Sequence, residues 1–229
     1  MVSESGPLAM GRAALEQAAW SQAGLHFEEA VASSDAAEAW EGLSRAAWWQ
    51  GDQDTTLSAR ERAYRAYREA DDMCGAARMA MWLASDHLDF RGDDGVASAW
   101  LARGRALLGD HRPCAEAGFL TVLEADMALL AHSDPVTAAT LARAALDVAR
   151  DIPDVGVEVV ALAVLGSALV ASGSIEEGLR RLDEAAALAV GEEFAETAAP
   201  GWALCHTVSA CAEVGDFGRA AQWCRALHS

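Results

Sequence analysis

The sequence contains no lysine. All 17 of its basic residues are arginines, set against 35 aspartates and glutamates for a formal net charge of −18. A surface that acidic repels phosphate backbones and anionic lipid, which argues against direct nucleic-acid binding and against a membrane-surface role. Proline is scarce, with five in 229 residues, so little interrupts helix. Long apolar runs are missing as well: the longest uncharged one, Val159 to Ala171, has 13 residues, where a spanning helix needs roughly 20. The opening residues, Met1-Val-Ser-Glu-Ser-Gly-Pro7, lack the basic region and apolar stretch of a signal peptide. Cysteine is odd in number and scattered (Cys74, Cys114, Cys205, Cys211, Cys224), a usage that fits small core residues of a reducing compartment. These absences together place the chain in the cytoplasm. Catalytic signatures are lacking too: there is no glycine-rich phosphate loop, zincin motif or nucleophile elbow, the six histidines are dispersed, and Cys205-His206 with Cys211 lacks zinc-ligand spacing. No catalytic residue, metal or cofactor is expected.

What is present is alanine-rich amphipathic helix with a long period. A small residue followed by Asp or Ser recurs at Gly51-Asp52, Gly92-Asp93, Ser133-Asp134, Gly173-Ser174 and Gly215-Asp216, at intervals of 41, 41, 40 and 42 residues. The glycine can end one helix in the left-handed conformation, and the next side chain can cap the following one. Apolar stripes at helical spacing flank each turn, for example Leu162, Leu165 and Leu169 before Gly173 and Leu179, Leu182 and Ala186 after it. The pattern predicts helices over 7–19 and 21–33, 36–50 and 53–70, 73–91 and 94–109, 113–131 and 135–150, 154–172 and 175–190, and 198–214 and 217–228. Six antiparallel hairpins follow, each too small to bury its own face, so they stack. The expected architecture is all-α: one domain over 1–229, wound as a right-handed superhelical solenoid.

Trp40-x-x-Leu-Ser-x-x-Ala47 with Gly51-Asp52, Thr56 and Ala63 resembles the tetratricopeptide repeat. So do Gly11, Ala23, Phe27 and Ala30 in the first hairpin, and Leu162-x-x-Leu-Gly-x-x-Leu169 with Gly173, Gly178, Leu182 and Ala185 in the fifth. The longer period, the stretch Glu38-x-Trp-Glu-Gly-Leu-x-x-Ala-x-Trp-Trp-x-Gly-Asp52 and Ala221-x-Trp-Cys-Arg225 resemble the superhelical sensor segment of large LuxR-type transcription regulators. Those regulators carry a helix-turn-helix module that this sequence does not display. The resemblance implies a non-enzymatic binding or scaffolding module. It would be the sensing part of such a regulator, holding a peptide, protein helix or small effector in a concave groove. The alternative is a structural protein that self-associates and has no effector.

In tetratricopeptide stacks the first helix of each hairpin lines the concave face. That geometry nominates Arg45, Trp48 and Trp49 from the second hairpin and Trp82, Asp86, Asp89 and Phe90 from the third. From later hairpins come Leu123, Met127, Leu130, Ser167, Trp202, Cys205 and Ser209. Two readings stand side by side: the tryptophans wall a pocket with a few polar fixtures, or they pack between hairpins. Arg45 and Asp86, at matching places on successive first helices, are expected to face each other. Arg60-Glu-Arg-Ala-Tyr-Arg-Ala-Tyr-Arg-Glu69 could bind nucleic acid but pairs its charges four residues apart, as a solvated outer face does. Asp126 falls where other first helices carry Gly166 or Ser44, and a register shift that puts Ala125 there is the leading explanation. In the final helix the apolar residues, among them Trp223 and Leu227, spread wider than one stripe. They are therefore expected to leave an exposed surface for a second copy of the chain.

Overall fold

A computed structural model of the chain describes residues 6–109, 114–191, 194 and 198–226. Among these residues there is no strand, and twelve helices succeed one another. They are α1 (Pro7–Glu16), α2 (Trp20–Ser33), α3 (Ala37–Gln50), α4 (Gln53–Glu69), α5 (Met73–Arg91) and α6 (Asp94–Leu108), then α7 (Ala115–Leu130), α8 (Pro135–Asp151), α9 (Val155–Ala171), α10 (Ile175–Gly191), α11 (Ala199–Glu213) and α12 (Phe217–Ala226). Every expected helix is present, within a few residues of its expected ends. Pro113 and His228, near two of those ends, lie outside the described residues.

The recurrent turn residues stop these helices as anticipated, but not every one caps the next: Asp93 makes no side-chain cap at α6. Gly51, Gly92, Gly173 and Gly215 take φ of 73°, 65°, 85° and 76°, and Ser133 does the same at 52°. Asp52, Asp134 and Asp216 then accept the backbone N–H of Thr55, Thr137 and Arg219, capping α4, α8 and α12. Between hairpins Asp72 and Asp154 cap α5 and α9 in the same way. The acidic balance of the chain is thus partly built into its helix starts.

The turns are not all of one length, and this corrects the expected register. The N–H of Asp52, Ser174 and Asp216 reaches back five residues, to the carbonyls of Ala47, Leu169 and Cys211. The N–H of Asp93 and Asp134 reaches back six, to His87 and Ala128. One extra residue in these two turns moves the inward positions of α5 and α7 by one. The small residues equivalent to Ser44 and Gly166 are therefore Ala84 and Ala125, both fully buried. The register shift anticipated at Asp126 is real. The same shift means that the counterpart of Arg45 on α5 is Ser85, not Asp86.

The chain divides into two compact units, residues 1–110 and 111–229. In the first, Phe27 fills a slot left by two glycines: a Cβ on Gly11 or Gly42 would lie 2.8 or 2.3 Å from its ring. Ala14, Ala23, Leu43, Ala46 and Ala59 complete this core, and α4 and α5 build a second one around Leu57, Tyr64, Tyr67, Met79 and Leu83. In the second unit α9 packs against α7, α8, α10 and α11. Enclosure on so many sides explains why its sequence is apolar all round rather than striped.

Candidate functional site

The nominated residues of α3 and α5 form one connected strip with parts of α2 and α4. The Trp49 ring stacks on Trp20 with centroids 4.9 Å apart, and Trp48 meets Trp49 edge-on at 4.9 Å. The Trp48 indole lies beside the Asp86 carboxylate and favours its charged form. The carboxylate of Asp86 lies 2.9 Å from Nη1 of Arg60, whose guanidinium sits 5.0 Å from the Trp82 ring centroid. Trp49 is 44% exposed; Trp20, Trp48 and Trp82 are half-buried. Beneath them Arg60 and Asp86 retain only 4% and 1% of their exposure. Their contact is off-axis, a meeting of charges rather than an aligned hydrogen bond. Burial pushes the Asp86 carboxyl up to about 7, against the pull of Arg60 and with a further push from Asp89.

Arg45 was expected opposite Asp86; the cation that the structure sets against that carboxylate is Arg60, which sequence reasoning had assigned to a solvated face. That face is real for Arg65, which pairs with Glu61 at 3.1 Å in the open. Arg60, Tyr64 and Tyr67 instead share the buried side of α4. Their i, i+4, i+7 spacing, in step with Leu57 and Ala63, was the signal available. Asp89 is exposed and accepts the Ser85 hydroxyl at 3.1 Å, Arg45 is half-buried, and Phe90, like Trp82, packs on the core of the first unit.

A second polar cluster ties α3, α4 and α5 together. Glu41 accepts the Tyr67 hydroxyl at 2.5 Å and Arg78 Nε and Nη2 at 2.8 and 2.9 Å. Burial works to raise the Glu41 pKa. The hydrogen bonds and charge of Arg78, with help from Tyr67, prevail and hold it below the usual carboxylate range. Its contribution to stability is therefore present above that range and is lost as pH falls through the lowered value.

In the second unit a network joins three first helices. Asp126 of α7 accepts the Trp202 indole N–H at 3.1 Å and lies 3.1 Å from Nε2 of His206, both on α11; Nδ1 of His206 lies 3.1 Å from the Ser167 hydroxyl on α9. Asp126 and Ser167 are equivalent positions once the wide turn is counted. Acid, imidazole and hydroxyl in sequence suggest a proton relay, but acyl transfer also needs donors aimed at a developing oxyanion. Ser167 sits in the middle of α9, where backbone N–H groups are spent on the helix ladder. Asp126 Oδ1 is also off the axis of any N–H. The network is well placed to fasten α11 to α7 across α9. In the sequence His206 stands out only beside Cys205 and Cys211, because only the fold brings it to Asp126. Met127 is buried and Trp202 half-buried.

No family model matches the sequence, and no curated protein matches it. Among solved structures, the chain is similar to one in the crystal structure of the APC/C hetero-tetramer Cut9–Hcn1, with a TM-score of 0.73 and 18% identity. The match covers 96% of this chain and 39% of that one, whose fold is built from tetratricopeptide repeats. The chain is a tetratricopeptide-like helical repeat.

In the last hairpin of this repeat, Trp223 is less free than the sequence suggested. It is half-buried, and its indole N–H donates to Asp183 of α10 at 2.9 Å, beside an Arg219 that pairs with both Asp183 and Asp216. Phe217 is the large apolar residue of α12 that stands exposed, at 68%. Leu227 lies outside the described residues. No described helix is long and apolar enough to cross a membrane.

Proposed function

We propose that this tetratricopeptide-like repeat works as a single non-enzymatic binding module that takes a protein or peptide partner on the first-helix side of its N-terminal unit. The observation that carries this reading is the tryptophan strip. Three indoles, Trp20, Trp48 and Trp49, are in ring contact there, with Trp49 open to solvent and the other two partly so, and half-buried Trp82 joins them through Arg60 and Asp86. Aromatic anchors of this kind dominate the energetics of protein interfaces. The further step, that the module senses a partner or small effector for a cytoplasmic LuxR-type regulator, rests on the resemblance carried by Glu38 to Asp52 and by Ala221 to Arg225. The acidic balance favours partners other than nucleic acid.

Self-association is the second reading, supported by the exposed Phe217 on an α12 that buries only Ala220 among its described residues. Photo-crosslinking separates the two. With p-benzoylphenylalanine in place of Trp49, in the full chain and in its own cells, one discrete adduct with a different protein is expected. The same probe at exposed Ser58 of α4 should give none. Equal adducts at both positions, or none at position 49, would remove the proposed face. An adduct of twice the chain mass would transfer the case to self-association.

A further inference from the structure

Arg60 and Asp86 are out of place by the standards of their own chain. Eight residues beyond the helix-capping position, where α4 carries Arg60, α6, α8 and α10 carry buried Leu101, Ala142 and Leu182, and α12 carries an exposed Cys224. With the wide turn counted, Asp86 is equivalent to Ala46, Met127, Ala168 and Ala210, again all buried. Three hairpins at the first position and four at the second therefore fill it with a buried apolar residue. Replacing a buried ion pair by well-packed apolar residues is often neutral or stabilising. Packing therefore does not call for the charges.

What distinguishes the pair is its location. It joins α4 to α5, and each of its members also neighbours one of the half-exposed indoles: Trp48 lies beside Asp86, and the Arg60 guanidinium sits 5.0 Å from the Trp82 ring centroid. We propose that the Arg60–Asp86 pair is a proton-operated latch that sets how Trp48 and Trp82 are presented on the first-helix side of the N-terminal unit. With Asp86 ionised, its charge faces Arg60 and attracts the Trp48 indole beside it. With Asp86 protonated, the guanidinium beneath Trp82 loses the counter-charge that fixes it, and Trp48 loses the charge beside it.

The charged groups bearing on Asp86 are Arg60 of α4 and Asp89 one turn along α5; α3 contributes the uncharged Trp48, with Arg45 on the turn before it. Burial places the transition near pH 7. Because the folded value is raised, the folded state holds the proton more tightly than the unfolded chain. Asp86 therefore favours folding below its folded pKa, and stability declines as pH rises from the ordinary carboxylate range toward 7.

A consequence for partner binding would rest on the function proposed above, so the test uses the free protein. Tryptophan emission of the full chain should titrate between about pH 5.5 and about pH 8.5 with a midpoint near 7. Asp86→Asn should abolish that transition, whereas Asp89→Asn and His87→Gln should retain it. The double variant Arg60→Leu/Asp86→Leu, which copies the other hairpins, should fold and not titrate. Carboxyl-carbon NMR of the unaltered protein assigns the titration without any variant. A flat emission profile, a transition that survives Asp86→Asn, or a carboxyl midpoint below about 5 would each overturn the latch.

Discussion

Phe27→Ala lowers the stability of the N-terminal unit by about 3–5 kcal/mol, the usual cost of emptying a fully buried phenylalanine site. The ring is completely buried, and its slot is shaped by the missing side chains of Gly11 and Gly42. Three helices meet around it, so the cavity cannot close by a local shift of one of them. Urea denaturation followed by circular dichroism gives the value directly. Phe217→Ala is the internal control: at 68% exposure it changes stability by no more than about 0.5 kcal/mol. Equal effects of the two substitutions would mean that the core has been wrongly located.

Gly178→Ala carries the second large effect, about 3 kcal/mol of destabilisation in the C-terminal unit. A Cβ there would stand 2.6 Å from the carbonyl oxygen of Gly166 and 2.8 Å from the backbone nitrogen of Val170. Backbone atoms cannot rotate away as a side chain can, so α9 and α10 would have to separate along their length. At Gly95, in α6, the same substitution meets nothing within 4 Å, and Ala should be neutral or gain up to about 1 kcal/mol from helix propensity. Thermal melts of the two variants compare crossing against propensity in one experiment.

Much of the fold was legible because its punctuation is chemical. Glycines with positive φ and capping aspartates recur at a fixed interval, and an alanine-rich stripe on either side leaves helix as the only regular choice. The site was less legible, for two physical reasons. A single extra residue in the turns before Asp93 and Asp134 rotates α5 and α7 by one position, which misaligned Asp86 with Arg45 and obscured the equivalence of Asp126 and Ser167. Side chains that partner across helices leave no local trace. Arg60 looked like one arginine among several in Arg60–Glu69, and nothing near His206 in sequence announces Asp126. Glu41, Tyr67 and Arg78 form a cluster spread over 37 residues for the same reason. Trp223 was misread in degree because its partner, Asp183, is on the preceding hairpin.

The central claim is that the N-terminal unit's tryptophan strip is a partner-binding surface. The most direct test measures the affinity of the partner captured at position 49 for Trp49→Ala, alongside the melting temperature of that variant. The account predicts at least about tenfold weaker binding with only a small change in melting temperature, since Trp49 is 44% exposed and packs on other surface indoles rather than in the core. Unchanged affinity for Trp49→Ala, or a loss seen only when Trp223 of the last hairpin is truncated instead, would contradict it.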